Sequence, residues 1–267
     1  MDLGLTGKNR RITGGSKGIG YAAAEAFLKE GASVAICSRH EEELKKSRRK
    51  HFPSTVLSIT RHMMSWMQNP ITVLQSMSIR NSAAWMSGSI NVGVSGPKKG
   101  DEYDDEEIDF MTGVCFKSVV YGCQAAFRYM KKQHSGAIVN VSSLAARCPS
   151  AGRSTLYGPL KSAINNLTNT FAGEYCPYNV RVTCIMPGFT LTPAVKQTIS
   201  PEELSMNTQA TLLRRAAMPE EIARPIVFLA SSAASYMTAT TIEVSGGRSM
   251  TLNPSFAYDR LAAAENR

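Results

Sequence analysis

Apolar and polar positions divide the chain into short apolar runs separated by longer segments with helical periodicity. The apolar runs have the length and β-branched content of buried strands. They cover Ser33–Cys37, Ala137–Val141, Val180–Ile185 and Thr241–Val244. Helical patterns cover residues 21–30, 105–132, 156–176 and 219–232. The alternation predicts an α/β fold: a single doubly wound domain over residues 1–267, with a parallel sheet and helices on both faces.

Composition and charge narrow the class of protein. The chain has 267 residues, of which 43% are hydrophobic, and a formal net charge of +9. The positive excess is local, because Leu44 to Gly100 holds nine basic residues and no acidic one. That stretch matches no nucleic-acid-binding module, so we expect no nucleic-acid partner. No apolar run reaches 18 residues, so we expect no membrane segment. The six cysteines form no Cys-x-x-Cys pair, so we expect reduced thiols, no metal and a cytoplasmic protein.

A glycine-rich motif, Thr-Gly-Gly-Ser-Lys-Gly-Ile-Gly, occupies residues 13–20 between a first strand and a helix. Glycines at this place permit a tight turn and let backbone N–H groups at a helix N-terminus approach a pyrophosphate. A glycine-rich turn by itself is equally compatible with a plain connection. The candidate cofactor-binding residues are Gly14, Ser16, Lys17, Gly18, Ile19 and Gly20.

The strand that follows ends in Ser38 and Arg39, where dinucleotide-binding folds read the adenine ribose. An acidic residue there would accept a hydrogen bond from a free 2′-hydroxyl. Arg39 and Lys17 instead offer two cations to a 2′-phosphate. The sequence therefore favours NADP(H) over NAD(H).

Tyr157 and Lys161 are four residues apart and so share one face of a helix. A tyrosine serves as a general acid/base near neutrality only when a nearby cation stabilises its phenolate, and Lys161 can be that cation. Pro159 lies between them and is tolerated only if Tyr157 is in the first helical turn. Ser143 precedes Tyr157 by 14 residues, which is long enough for a loop to bring the two hydroxyls together. The pair alone also occurs by chance on many helices.

Together these motifs resemble the short-chain dehydrogenase/reductase family, in the single-domain NADP(H)-preferring branch that includes 3-oxoacyl-carrier-protein reductases and related carbonyl reductases. The matching segments, in order, are TGGSKGIG at 13–20, NVSS at 140–143, YGPLK at 157–161, PGFTLT at 187–192 and a C-terminal pattern from 219 to 247. The resemblance covers most of the chain and implies a Rossmann domain.

The resemblance also implies roles for individual residues. Tyr157 would be the acid/base, Lys161 would stabilise its phenolate and hold the nicotinamide ribose, and Ser143 would position the substrate oxygen. The nicotinamide end would be lined by Pro187, Gly188 and Thr192, and the end of the family's Asn-Asn-Ala-Gly turn would be Asn91 and Gly93.

The implied activity is hydride transfer between NADP(H) and a carbonyl or secondary alcohol substrate. The expected partner is a small molecule, covered by a substrate lid near residues 190–215. A homodimer or homotetramer is expected by resemblance. The alternative is a catalytically impaired relative that binds a dinucleotide and has a binding or scaffold role.

Several positions depart from the family's pattern. Cys115 stands at the place of a fourth catalytic residue, an asparagine that supports the proton relay, and a thiol lacks the donors and acceptors of an amide. Arg10 and Arg11 occupy a first strand that should be apolar. The aspartate expected after the third strand is absent. The alternative function rests on Cys115 and on this damaged region.

Residues 62–89 carry the marks of a reading frame shifted by one base. Met and Trp have single codons, so reading each codon from its third base turns the dipeptides at 63–64, 66–67 and 85–86 into aspartates. One of these aspartates falls where the family has an aspartate after the third strand, and another falls where the family has an aspartate before the fourth strand. Any Met preceded by a codon ending in G also yields Asp, so a single match means little. The ordered set supports a frame shift, which would explain why both tryptophans and five of the 13 methionines lie here.

Peptide masses between Arg61 and Arg80 test this hypothesis. Masses of an Asp-Val-containing peptide would mean that the shift lies only in the printed sequence and that the protein is an ordinary reductase. Masses of the residues as printed would place the change in the protein itself and would favour the impaired relative.

Overall fold

The computed structural model describes residues 2–38, 56–59, 87–90, 102–148, 155–248, 250–251 and 253–265. Within them, seven strands form one sheet in the order β3-β2-β1-β4-β5-β6-β7, and every neighbouring pair is parallel. The strands are β1 (Asn9–Thr13), β2 (Ser33–Cys37), β3 (Val56–Ile59), β4 (Ser87–Ile90), β5 (Gly136–Val141), β6 (Val180–Pro187) and β7 (Thr240–Val244).

The strands alternate with helices along the chain. The helices are α1 (Gly18–Lys29), α2 (Asp105–Thr112), α3 (Ser118–Gln133), α4 (Tyr157–Tyr175), α5 (Pro193–Thr198), α6 (Pro201–Gln209), α7 (Pro219–Leu229) and α8 (Phe256–Glu265). A π turn, Gly113–Lys117, joins α2 to α3, so the single helix predicted over 105–132 is interrupted. Short 3-10 turns cover Leu144–Ala146, Cys176–Tyr178 and Ser232–Ala234. The sequence pattern did not predict α5, α6 or α8.

Helices cover both faces of the sheet, as predicted. On one face, α1 and α7 pack over β1, β2 and β6, with Phe27 and Ile226 fully buried between them. On the other face, α3 and α4 pack over β5 and β6 around Ile138 and Ile164. Both faces of the central strands are therefore apolar, which is why their sequences are continuous hydrophobic runs rather than alternating ones.

The chain reverses its direction of winding between β1 and β4. Successive strands run outward from β1 to β3, and the chain then returns to place β4 on the other side of β1. In sheets of this kind, ligands bind in the crevice beyond the carboxyl ends of the strands at the reversal point. The glycine motif directly follows β1 and so lies at this crevice.

A buried polar cluster links β5 to the two helices above it. The amide of Asn140, which has no exposed surface, donates from Nδ2 to Thr168 Oγ1 at 3.0 Å. The thiol of Cys123 donates to Asn140 Oδ1 at 3.4 Å. Burial raises the pKa of Cys123 to about 12, so its thiol keeps its proton at neutral pH. Because buried polar groups need partners, this cluster holds α3 and α4 in one position against β5.

Arg10 is the strongest local conflict in the core. Its side chain is 3% exposed and lies on the same face of β1 as Ile12, with the guanidinium carbon 5.8 Å from the ring centroid of Phe27. Nη1 donates to Asn9 O at 3.0 Å, whereas Nε has no hydrogen-bond partner among the described residues. Burial lowers the pKa of Arg10 to about 10. The charge thus weakens the packing of a central strand.

Replacing Arg10 with Met should stabilise the protein by about 1–3 kcal/mol, because an unbranched apolar side chain fills the same space without a buried charge. Urea unfolding of the two proteins measures the change. Arg11→Val is the matched control, since Arg11 points to the opposite face, is half-buried and interacts electrostatically with Tyr129. A lower unfolding midpoint for Arg10→Met than for the unmodified protein would contradict this account.

Candidate active site

The turn after β1 leaves open backbone donors at the N-terminus of α1. Gly14 and Gly18 have φ values of +65° and +57°, which favour glycine. Gly15 lies so close to β2 that a Cβ atom there would be 2.6 Å from Ile36 Cγ2. Among the described residues, no side chain accepts a hydrogen bond at the N-cap of α1, and its first turn has no acidic residue. The first N–H groups of α1 can therefore hold an anion such as a pyrophosphate.

Two hydroxyls join this turn to the end of β2. Ser16 Oγ donates to Ser38 Oγ at 2.7 Å. Lys17, at the N-cap of α1, is exposed beside them.

Three of the predicted cofactor-binding residues, Arg39, Asn91 and Gly93, lie outside the described residues, as does most of the segment 62–89.

Tyr157 and Lys161 begin α4, as the spacing predicts. Tyr157 is the first residue of α4, so Pro159 falls in the first turn, where a missing N–H costs nothing. Lys161 is 3% exposed and its ammonium lies 5.7 Å from the ring centroid of Tyr157. Lys161 Nζ donates to Val141 O, the last residue of β5, at 3.0 Å. A buried cation and a half-buried phenol thus lie together at the carboxyl edge of the sheet.

Ser143 is held near the start of α4 by the 3-10 turn that follows it. Its Oγ accepts from Ala145 N at 3.2 Å, and the neighbouring Ser142 Oγ donates to Lys161 O at 2.9 Å. The first turn of α4 lies against this 3-10 turn, since a Cβ at Gly158 would be 2.9 Å from Ala145 O. The structure therefore brings together the segments that carry Ser143, Tyr157 and Lys161.

Cys115 lies in the π turn between α2 and α3 and has no exposed surface. The turn packs against α4, and Ser118 Oγ donates to Val114 O inside it at 2.6 Å. Single π-helical turns inside α-helices are frequent at functional sites. Here the irregular backbone is present although a thiol occupies the position of the family's asparagine.

The opposite wall of the crevice comes from the end of β6. Pro187 ends β6, and a Cβ at Gly188 would be only 2.6 Å from Ser245 Cα, so no larger residue fits there. Thr192 caps α5 by accepting from Val195 N at 3.3 Å. Its methyl group would lie 3.3 Å from a Cβ at Gly18. The residues predicted to line the nicotinamide end thus lie across the crevice from the glycine motif at 13–20, which we call the phosphate turn.

One polar link at the edge of the site escaped the sequence analysis. Arg147, which follows the 3-10 turn, forms a 2.7 Å ion pair with Glu243 of β7. Glu243 also accepts a hydrogen bond from Ser245 Oγ. The signal that could have revealed the link is Glu243 itself, an acid inside an otherwise uncharged strand. The pair ties the loop after Ser143 to the carboxyl end of β7.

A parallel α/β sheet with a glycine turn and a Tyr-Lys pair at its carboxyl edge defines a class of dinucleotide-dependent oxidoreductases. The family model for short chain dehydrogenases matches residues 8–203. The chain belongs to this family, whose members bind a nicotinamide dinucleotide. Among the described residues, no helix is long and apolar enough to cross a membrane.

Known relatives span nearly the whole chain. A 3-oxoacyl-[acyl-carrier-protein] reductase from Chlamydia pneumoniae is 31% identical, covering 92% of this chain and 99% of its own. L-sorbose reductase from Gluconobacter frateurii, solved with NADPH and L-sorbose, has 29% identity, a TM-score of 0.83 and coverage of 94% and 100%. A 3-oxoacyl-[acyl-carrier protein] reductase from Brucella melitensis, solved with NAD, has 25% identity, a TM-score of 0.82 and coverage of 92% for both chains.

Proposed function

We propose that this short chain dehydrogenase is an NADP(H)-dependent carbonyl reductase or alcohol dehydrogenase with Tyr157 as its general acid/base. The observation that carries the proposal is the buried ammonium of Lys161, 5.7 Å from the ring centroid of Tyr157 and hydrogen-bonded to the end of β5. An ammonium held close to a phenol is the arrangement in which a tyrosine can serve as a general acid/base.

The residues of the site divide the work of a carbonyl reduction. NADPH, when bound, supplies the hydride that adds to the carbonyl carbon. Tyr157 gives the proton from its Oη to the carbonyl oxygen, and the same residue would take that proton back in alcohol oxidation. Ser143, at the end of the neighbouring strand, donates a hydrogen bond to that oxygen and orients it. Lys161 stabilises the phenolate left on Tyr157, and the N-terminus of α1 binds the pyrophosphate.

The comparisons do not favour the binding-only alternative, because the full-length relatives described above are reductases. A homodimer or homotetramer remains a proposal from the family resemblance. We propose a small-molecule substrate, as expected for this family. Activity assays on a panel of carbonyl compounds would identify it.

Tyr157→Phe should lower kcat by about 100- to 10,000-fold, the range that a single general acid/base contributes. Dinucleotide binding should survive, because the ring remains. Steady-state rates on a carbonyl panel and a fluorescence titration with NADPH measure the two effects. Tyr178→Phe, beyond the far end of α4, is the matched control and should leave both unchanged. Turnover retained in Tyr157→Phe would contradict the assigned role.

Cofactor preference is tested at Ser38. The proposal of NADP(H) is supported by Ser38 and its hydrogen-bonded neighbour Ser16, which put hydroxyls rather than a carboxylate at the end of β2. Ser38→Asp should shift the ratio of kcat/KM for NADPH over NADH toward NADH by about 10- to 100-fold, the size of a charged hydrogen bond gained or lost. Ser38→Ala, which removes only the link to Ser16, should shift it far less. A natural preference for NADH would contradict the proposal.

A further inference from the structure

The segment after β6 forms a closed loop with its own neck. We define the lid as residues 192–216, which contain α5 and α6. At the neck, Leu191 N donates to Ala217 O at 2.9 Å and Ala217 N donates to Phe189 O at 2.9 Å. The first residue of the lid, Thr192, approaches Gly18 in the phosphate turn. The neck therefore closes the loop at its base, and the α5 end of the lid lies beside the glycine-rich turn.

The far end of the lid contains a strained residue. Arg214 has a φ of +53°, in the left-handed region that a residue with a Cβ seldom adopts. Strain of this kind persists only where surrounding contacts compensate for it, and it is concentrated at sites where a particular geometry matters. The contacts of Arg214 therefore indicate what the strained turn achieves.

Arg214 connects the lid to residues 253–265, which we call the C-terminal segment. Its Nη1 donates to Gln209 O, at the end of α6, at 2.7 Å, and its Nη2 donates to Pro254 O at 3.3 Å. The guanidinium carbon lies 4.5 Å from the ring centroid of Tyr258 in α8. Tyr258 Oη in turn donates to Leu212 O at 2.6 Å. One side chain thus holds the end of α6, the start of the C-terminal segment and the ring of Tyr258.

A second connection lies closer to the sheet. Arg248, just after β7, donates from Nη1 to Asn207 Oδ1 at 2.7 Å, and Asn207 is 5% exposed inside α6. Asn207 Nδ2 donates to Glu203 O within the same helix. The α6 half of the lid is therefore hydrogen-bonded to a residue that follows β7, whereas at the α5 end Thr192 lies close to Gly18.

We propose that Arg214, Pro254 and Tyr258 form a latch that holds the α6 half of the lid at the carboxyl edge of the sheet, the edge at which the proposed substrate site lies. We assign Arg214 as a positioning residue, because its contacts are with the end of α6, Pro254 and Tyr258. Opening the latch frees the substrate side, while the neck and Thr192 keep the cofactor side in place. The kinetic consequence rests on the proposed reductase function, but the latch itself does not.

Hydrogen exchange on the full chain tests the latch directly. Arg214→Gly removes the guanidinium and relieves the backbone strain, but glycine also adds backbone freedom to the open lid. Arg214→Asn, which tolerates the left-handed conformation, must therefore loosen the lid as well. We expect exchange in residues 201–213 to become about 5- to 30-fold faster, the effect of one or two kcal/mol on a local opening equilibrium. Exchange in α1 and α4 should not change. Arg260→Ala is the matched control, because Arg260 lies over Phe256 of its own helix.

Unchanged or slower exchange in the lid of Arg214→Gly would overturn the latch, as would equal loosening by Arg260→Ala. Tyr258→Leu should loosen the same residues, and the double variant should loosen them less than the two single effects combined, because both remove one shared contact. If the effects of the two single variants on exchange simply add in the double variant, the latch is also overturned. Arg214→Lys keeps the charge but not the planar fork, so it should restore protection only in part.

Steady-state kinetics test the positioning role. In Arg214→Gly, KM for the carbonyl substrate should rise by about the same factor as the hydrogen exchange of the lid, about 5- to 30-fold. The value of kcat and the dissociation constant for NADPH should change little. Faster lid exchange without a rise in KM would overturn the positioning role. If no carbonyl compound is reduced, the proposed function fails while the exchange experiment still decides whether the latch exists.

Discussion

One buried hydrogen bond, from the ammonium of Lys161 to the carbonyl of Val141, sets the geometry on which the candidate active site depends. A charge that is 3% exposed must have such a partner, because leaving it unpaired away from water is costly. The bond joins the last residue of β5 to the first turns of α4. It thereby fixes where Tyr157 lies at the edge of the sheet, and Ser142 strengthens the same junction by donating to Lys161 O.

Backbone conformation is the second constraint on the structure. Some tight turns are occupied by glycine without strain, whereas one is occupied by a large side chain with strain. At Gly14 and Gly188 the turns need a positive φ or an approach too close for a Cβ, and glycine meets the need without strain. At Arg214 the chain adopts a left-handed turn with a large side chain, whose contacts with the C-terminal segment offset the strain. Arg10 differs from both, since its buried charge disturbs β1 and serves no contact that the site uses.

The fold was largely predictable because its central strands, β5 and β6, are buried on both faces and are therefore continuous apolar runs. The neighbouring strand β2, Ser33–Cys37, also has the predicted bounds, although its alternate residues are half-buried. The long helical pattern from 105 to 132 was predicted as one helix, whereas the structure has a π turn at Gly113–Lys117. Periodicity does not reveal such a turn, because one extra residue hardly changes the apolar pattern. The C-terminal helix α8 was missed because its described residues are exposed and carry little apolar periodicity.

The sequence by itself determined the class of fold and the chemical groups of the site, because strand burial, glycine turns and the four-residue spacing of Tyr157 and Lys161 are local properties of the chain. Only the tertiary structure decided how those groups are held. The bond of Lys161 to Val141, the pair of Arg147 with Glu243 and the contact of Arg214 with Tyr258 each join residues at least 20 positions apart. No local pattern encodes such partners, since they meet only when the sheet has brought distant segments to the same edge.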